Sequence, residues 1–400
     1  MEKETIQGQQ MSLFEDTNKV KNVRKVSKVS KVSKGALLEF RLQRLLFFMG
    51  YFTKRGIIMK TSADDLADEI TDLDAYGTYI HKDFSVKRIW ADCKSGKAKP
   101  LERISWIKGI RTSVKIDDVI FVKSGVRINT KQFARRSGIL VLDNDTISKL
   151  EKDFGITEND WRGSWDYNTQ YDNINKLKKI VVYNGRDLKN IAQFIESNYW
   201  VFDYYARIKK CITGLKQLYD FHELAKEDEK YIIKWAMYEL ISLFTLATLN
   251  ICREVYYLSD VDKKVMINDG MISGEISAKK RAELVDATYK MAIGLVKQQI
   301  PDFKPMQLDL NVGLNAPEYC NKLIDLVNRI TNNPLNYFDI LRILDFSLME
   351  YELKDVPINE EDLQELFNNY RQVKGSVKTI LHFVCDVCNI PIAFFDLLKK

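Results

Sequence analysis

Residues 70–94, ITDLDAYGTYIHKDFSVKRIWADCK, constrain the fold more than any other part of this 400-residue chain. The pattern of apolar and polar residues predicts two β-strands joined by a polar turn, each with an acidic residue toward one end. Side chains alternate along a strand, so Trp90, Asp92 and Lys94 share one face of the second strand, and the residues between them point the other way. One face can therefore pack against the protein core while the other presents the reactive side chains.

Acidic side chains on these two strands predict a metal site. Carboxylates on neighbouring strands repel each other unless a cation lies between them, which is typical of sites for hard divalent metals. Asp72 and Asp74 lie on the same face of the first strand, so alternation alone does not choose between them. Lys94, two residues beyond Asp92, would lie beside the metal, where it could orient a water or neutralise charge on a phosphate.

An acid in an apolar strand, followed by Asp-x-Lys on the next strand, resembles the PD-(D/E)XK nuclease core of restriction endonucleases and archaeal Holliday-junction resolvases. The resemblance covers about residues 35–155. It implies that DLDAYG supplies Asp74 as the first metal-binding acid, and that DCK supplies Asp92 as the second acid and Lys94 as the catalytic lysine. It also places Glu39, in GALLEFRLQRLL, where a helix glutamate helps to bind the metal in some members.

The resemblance rests on the order of the predicted elements as well as on these motifs. A helix, the acid strand, the Asp-x-Lys strand, and then a helix, strand, helix and strand follow in the family's order. Asp-x-Lys replaces the commoner Glu-x-Lys, the first motif has no proline, and the helix at residues 101–110 lacks the glutamine of several relatives. The activity implied is that of a Mg²⁺-dependent endonuclease, with Mn²⁺ as a substitute, acting on DNA in restriction or antiphage defence.

Four segments are predicted along the chain. Residues 1–34 read as a disordered basic tail that contains KVSKVSKVSK, and residues 35–155 as an α/β restriction-endonuclease-like domain with a central mixed sheet flanked by helices. Residues 156–173 are predicted to be a connector, and residues 174–400 a mostly α-helical domain. That helical domain resembles no known family, and it could sense a trigger, bind a partner protein, form a homodimer or extend the nucleic-acid surface.

Composition predicts a reduced, soluble protein. The uncharged, mostly apolar run at residues 240–252 is too short to span a bilayer, so it indicates a buried core helix and no membrane partner. No amino-terminal signal peptide is recognisable. Six cysteines are scattered along the chain and predict free, mostly buried thiols, which points to the cytoplasm.

Charge is distributed unevenly between the two halves. Residues 1–155 hold 30 Lys and Arg against 20 Asp and Glu, whereas the rest hold 31 against 35. A polyanion such as DNA would be attracted to the basic half, and its binding would weaken as salt rises. An ordinary solvated surface remains the alternative.

Several other residues have both a functional and a structural interpretation. HFVCDVC suggests zinc, but its spacing also fits a buried helix face, which we favour because no fourth ligand stands out. For His81 a surface role is likewise favoured over proton transfer. For Lys97 and Lys99 it is favoured over phosphate contact.

The rival to a nuclease is a catalytically idle module of the same fold that grips nucleic acid or a partner protein and keeps only a vestigial metal site. Measurable Mg²⁺ binding would favour the enzyme.

Overall fold

The computed structural model describes residues 34–64, 66–94, 99–157, 169–181, 187–274, 278–304 and 315–399. Of the predicted basic tail, only Lys34 falls within these ranges. Most of the predicted connector also lies outside them, and helix α5 (Thr169–Leu177) begins within its last residues.

The amino-terminal half forms a mixed sheet flanked by helices, as predicted. Five strands lie in the order β1-β2-β3-β4-β5, with β1 to β3 antiparallel and β3 to β5 parallel. The strands are β1 (Phe52–Lys60), β2 (Glu69–Ile80), β3 (Val86–Cys93), β4 (Asp118–Val122) and β5 (Ile139–Leu142). The helices are α1 (Lys34–Phe48), α2 (Pro100–Ser113), α3 (Ile128–Arg136) and α4 (Asn144–Asp153).

Each face of the sheet packs against its own pair of helices. Leu42 of α1 and Ile147 of α4 cover the face that carries Ile89 and Ala91, whereas α2 and α3 cover the face that carries Trp90. The predicted alternation along β3 is confirmed. It places Asp92 on the α2 side of the sheet.

The carboxyl-terminal half is mostly helical, as predicted. After α5, its α-helices are α6 (Lys189–Glu196), α7 (Tyr204–Leu224), α8 (Glu227–Val255), α9 (Asp260–Ser273), α10 (Ala278–Gln299), α11 (Cys320–Asn332), α12 (Ile340–Ser347), α13 (Glu360–Leu366), α14 (Tyr370–Cys388) and α15 (Asp396–Lys399). Short 3₁₀ turns lie at Asn198–Trp200, Pro334–Asn336 and Ile392–Phe394, and α12 runs on into a π-helical turn at Leu348–Glu352.

Helix α8 is the centre of this half. It is long and apolar enough to cross a membrane by length and composition alone, but 94% of its most apolar window is buried inside the structure. The prediction of a buried core helix is confirmed, and the helix is consistent with a soluble protein. All six cysteines are free and buried, also as predicted.

The sheet and the helical half share one hydrophobic core. Phe47 of α1 stacks on Phe346 and meets Phe367 edge-on, each at 5.9 Å between ring centroids. In the same interface, Lys54 of β1 lies 2.9 Å from Glu239 of α8 and 3.0 Å from Asp345 of α12. These contacts fix the position of β1, and through the sheet that of β2 and β3, relative to α8.

Candidate active site

The pairing of β2 with β3 brings the predicted acids together. Ala75 lies opposite Ala91 in the antiparallel register, so Asp74 and Asp92 occupy the next positions along the two strands. Lys94 follows the last residue of β3, and its backbone N–H donates to the carbonyl oxygen of Val122, 3.2 Å away. Lys94 is thereby held at the edge where β3 and β4 end.

Lys94 bridges the two carboxylates. Its Nζ lies 3.4 Å from Asp74 Oδ2 and 3.6 Å from Asp92 Oδ1. The side chain of Lys94 is 31% exposed, against 5% for Asp74 and 1% for Asp92. The cluster is therefore a buried acidic pair with a cation at its open side.

Asp74 is a buried carboxyl whose charge is incompletely compensated. The backbone N–H of Cys93 donates to its Oδ2 at 2.6 Å. Burial raises the pKa of Asp74 to about 7, with smaller contributions from the charges of Asp92 and Glu39, and outweighs the lowering by Lys94 and the Cys93 N–H. Asp72 is exposed, so burial rather than strand alternation distinguishes Asp74 from it.

Arg103 of α2 is a functional candidate that the sequence did not reveal. Its Nε and Nη2 donate to the two oxygens of Asp92 at 2.9 and 2.5 Å, and its guanidinium carbon lies 3.7 Å from the centroid of the Trp106 ring. The i,i+3 spacing of Arg103 and Trp106 hints at the stacking, but nothing local indicates the pairing with Asp92. Arg103 occupies both oxygens that would bind a metal.

Glu39 lies near the cluster on a separate element. It is half-buried on α1, where its Oε2 accepts a hydrogen bond from the Tyr171 hydroxyl at 3.2 Å. Burial raises its pKa, and Arg55, Tyr171 and Lys94 oppose that shift. The structure thus brings Asp74, Asp92 and Lys94 into direct contact and leaves Glu39 as a neighbour acting through its charge.

Among the described residues, no three His, Cys, Asp or Glu side chains are grouped closely enough to hold a metal ion by themselves. Mg²⁺ does not require such a group, since it is usually held by one or two carboxylates together with waters and substrate phosphates. Asp74 and Asp92 provide two carboxylates, and the raised pKa of Asp74 indicates a site that a further cation would stabilise. Asp74 and Asp92 are the residues that would hold Mg²⁺, and Arg103 would first have to release Asp92.

The remaining candidates make their contacts with residues outside this cluster. His81 is exposed with its ring 4.8 Å from that of Tyr79, and Lys99 is exposed and paired with Glu102 at 2.8 Å. Lys97 lies outside the described residues. In HFVCDVC both cysteines are buried in the helical core whereas the histidine is exposed, so the core interpretation of that motif is confirmed.

Comparison with protein-family models, curated proteins and solved structures found no match to this chain.

The raised pKa of Asp74 predicts that stability falls as pH rises in the metal-free protein. Between about pH 4 and 7 the unfolded chain has lost this proton while the folded protein keeps it, so folding is favoured at the acidic end of that window. The slope contributed by one such group is at most about 1.4 kcal/mol per pH unit. Chemical unfolding in EDTA at several pH values should show this decrease in the free energy of unfolding for the wild type and not for Asp74→Asn. Identical slopes for the two proteins would contradict the assigned pKa.

Removing the Arg103 side-chain charge should tighten metal binding. A hydrogen bond to a charged group contributes about 1.5–3 kcal/mol, so Arg103→Gln should raise Mg²⁺ affinity by about 10- to 150-fold, measured by titration calorimetry on EDTA-treated protein. Lys108→Gln, which removes one exposed positive charge from the same helix, is the matched control and should leave the affinity unchanged. Equal affinities for wild type and Arg103→Gln would show that Arg103 does not compete for Asp92.

Proposed function

We propose that this protein is a metal-dependent endonuclease that hydrolyses phosphodiester bonds in DNA, with a PD-(D/E)XK-like core in residues 35–155. The observation that carries the proposal is the contact of Lys94 with both Asp74 and Asp92, at the ends of two adjacent strands. Buried acids with a neighbouring lysine, open to solvent on one side, suit hydrolysis of a phosphate ester assisted by a divalent cation.

The architecture supports the same proposal. Helix α1 precedes three antiparallel strands, and β4 and β5 then extend the sheet in parallel through α2 and α3. The acids lie on β2 and β3, where the sheet changes from antiparallel to parallel pairing. Apart from β1, which precedes the acid strand, this order of elements is the one that the resemblance implies for the nuclease core.

In the proposed mechanism each residue has a separate role. Asp74 and Asp92 would hold Mg²⁺, or Mn²⁺ in its place, with Glu39 adding negative charge nearby. When bound, the ion would polarise the scissile phosphate and make the attacking water more acidic. The two carboxylates hold the pKa of Lys94 above its usual value despite its partial burial, so Lys94 acts as a cation that orients the water and neutralises charge on the phosphate.

Charge distribution supports a polyanionic substrate. The excess of lysine and arginine in residues 1–155 is confined to the half that contains the cluster. Association with nucleic acid should accordingly weaken as salt rises. A double-strand cut would require two such sites, supplied by a homodimer or a partner protein bound through the helical half. We place this activity in the cytoplasm, in restriction or antiphage defence.

A catalytically idle binding module is the second candidate. One observation favours it, because Lys94 and Arg103 already neutralise the negative charge of Asp92 without any metal. In this alternative the fold would bind nucleic acid or a partner protein and cut nothing.

The test is a cleavage panel with supercoiled plasmid, linear duplex, single-stranded DNA and RNA, each in Mg²⁺, Mn²⁺ or EDTA. Metal-dependent cutting of a DNA substrate is the expected result. Folded protein that binds DNA and cuts none of these substrates in either metal would support the idle module.

A further inference from the structure

A second concave site lies on the same face of the sheet as the carboxylates. The cavity has a volume of about 350 Å³ and lies between β2 and β3, the end of α2, the segment leading into α7, and α8. That volume is within the range of small-molecule sites in proteins. Arg88 lines it from β3, four residues before Asp92.

Positive charge predominates in this cavity. Lys60, Arg88 and Lys115 line it, and within the described part of the chain none of the three forms an ion pair with a carboxylate. Arg88 uses one guanidinium nitrogen in a 3.4 Å hydrogen bond to the Tyr204 hydroxyl. Among the described lining residues Asp203 is the one carboxylate, and as the N-cap of α7 it accepts a hydrogen bond from the Ala206 N–H at 2.8 Å. The described lining of the cavity thus carries four cations, Lys60, Arg88, Lys115 and Arg207, against the single carboxylate of Asp203.

Aromatic rings form much of the remaining wall. Trp200 packs edge-on against Tyr76 with 5.1 Å between ring centroids, and Phe202 and Tyr204 line the cavity beside them. Such rings provide flat apolar surfaces on which a planar ligand can stack.

Asn250 of α8 adds an unused hydrogen-bond acceptor. It lines the cavity and is 2% exposed, and its Nδ2 donates to the carbonyl oxygen of Leu246 at 2.7 Å. Its buried Oδ1 accepts no hydrogen bond from any residue that the structure describes. Buried polar atoms are nearly always paired, so this unpaired acceptor, in a residue that lines the cavity, supports a ligand with a hydrogen-bond donor.

We propose that this cavity binds a nucleotide, with the phosphate on Arg88, the base stacked on the aromatic wall, and an N–H of the base donating to Asn250. Arginine is suited to phosphate because its planar group donates several hydrogen bonds at once. A neutral ligand would leave the cations uncompensated, and an aliphatic anion would leave the aromatic wall and Asn250 unused.

Two sources would supply this chemistry. At about 3.3 Å per residue, Arg88 lies about 13 Å along β3 from Asp92, so a nucleotide of a strand bound at the carboxylates could reach the cavity. A free mononucleotide could occupy it equally well, and α8 would then connect it to the helical half. The inference does not require the carboxylates to be catalytic, because its test measures binding alone.

The experiment titrates the full-length protein with the four ribonucleoside 5′-monophosphates, adenosine and a short single-stranded oligonucleotide, using calorimetry and intrinsic tryptophan fluorescence. We expect at least one phosphorylated probe to bind, and adenosine to bind at least tenfold more weakly than AMP if AMP is that probe. Binding of a free monophosphate identifies a diffusible ligand, whereas binding of the oligonucleotide alone identifies a nucleotide of a strand.

Variants separate the cavity from general charge. Arg88→Gln should weaken binding at least tenfold, and Lys87→Gln, which removes a positive charge from the neighbouring residue in an exposed pair with Asp118, should not. Asn250→Leu should weaken binding as well. It replaces Arg88→Gln as the test variant if thermal unfolding shows that Arg88→Gln does not fold. Failure of every probe to bind folded wild type, or equal binding by wild type, Arg88→Gln and Asn250→Leu, would overturn the proposal.

Discussion

Replacing Asp74 or Asp92 by asparagine should reduce DNA cleavage by at least about a hundredfold, the scale expected when a group that stabilises transition-state charge is lost. Asparagine keeps the size of each side chain and can still accept hydrogen bonds, from the Cys93 N–H at position 74 and from Arg103 at position 92. The change therefore removes negative charge with little loss of packing. Single-turnover cleavage at saturating Mg²⁺, beside thermal unfolding of each variant, is the measurement.

Asp72→Asn is the matched control for these variants. Asp72 lies on the same strand as Asp74, two residues away, and is exposed, so its replacement should leave cleavage within about twofold of wild type. Loss of cleavage in Asp72→Asn with retention in Asp74→Asn would assign the first acid to the wrong residue. Full activity in folded Asp92→Asn would remove the carboxylate pair from the mechanism.

Lys54→Met should destabilise the protein by about 3–5 kcal/mol, because breaking a buried ion pair leaves an uncompensated charge. The side chains of Lys54, Glu239 and Asp345 are 4%, 2% and 7% exposed, and Ser242 also donates to Asp345, at 2.8 Å. Burial raises the pKa of Glu239, and Lys54 opposes that rise by favouring the ionised carboxylate. Without Lys54 the two acids would face each other in the core, and the loss should appear as a lower free energy of unfolding in urea.

Two comparisons sharpen this result. Lys87→Met breaks a pair whose side chains are 46% and 38% exposed, and it should cost less than about 1 kcal/mol. The triple variant Lys54→Met, Glu239→Leu, Asp345→Leu replaces the whole network by apolar residues and should recover most of the stability lost in the single variant. A single variant as stable as wild type would show that the network does not hold β1 against α8.

The approach of the two acids could be predicted from sequence because its causes are local. Alternation along β3 assigns Asp92 to a face, and a short polar turn between two strands makes them antiparallel neighbours. The choice between Asp72 and Asp74 could not be made in this way. It depends on how far the helices cover the sheet, which is a property of the whole fold.

The start of β1 shows why part of the fold was missed. The apolar run at residues 57–59 lies only in the second half of β1, which begins at Phe52. Thr53, Lys54 and Arg55 are polar residues of the kind that usually face solvent, yet all three are buried. The partners of Lys54 lie about 185 and 291 positions away, at Glu239 and Asp345, so no local pattern indicates that burial.

Arg103 was missed for the same reason, since its partner Asp92 belongs to another element. The ends of helices, in contrast, are partly encoded in local residues. Apolar periodicity continues from residue 377 to residue 398, but α14 ends at Cys388, where Asn389 adopts a left-handed conformation with φ of 57° and Pro391 follows. Asparagine followed closely by proline is a recognised signal for the end of a helix. Here that signal, and not the apolar periodicity, decides where the helix ends.

The most direct test of the central claim is the cleavage of supercoiled plasmid by wild type and by Lys94→Ala, each in Mg²⁺ and in EDTA. Without Lys94, Arg103 still compensates the charge of Asp92 and Asp74 can take up a proton, so loss of this 31% exposed side chain should leave the fold intact. We predict nicking or linearisation by wild type in Mg²⁺, none in EDTA, and at least about a hundredfold less by Lys94→Ala in Mg²⁺. Equal cutting by the two proteins, or cutting by wild type that persists in EDTA, would contradict a metal-dependent site built on Asp74, Asp92 and Lys94.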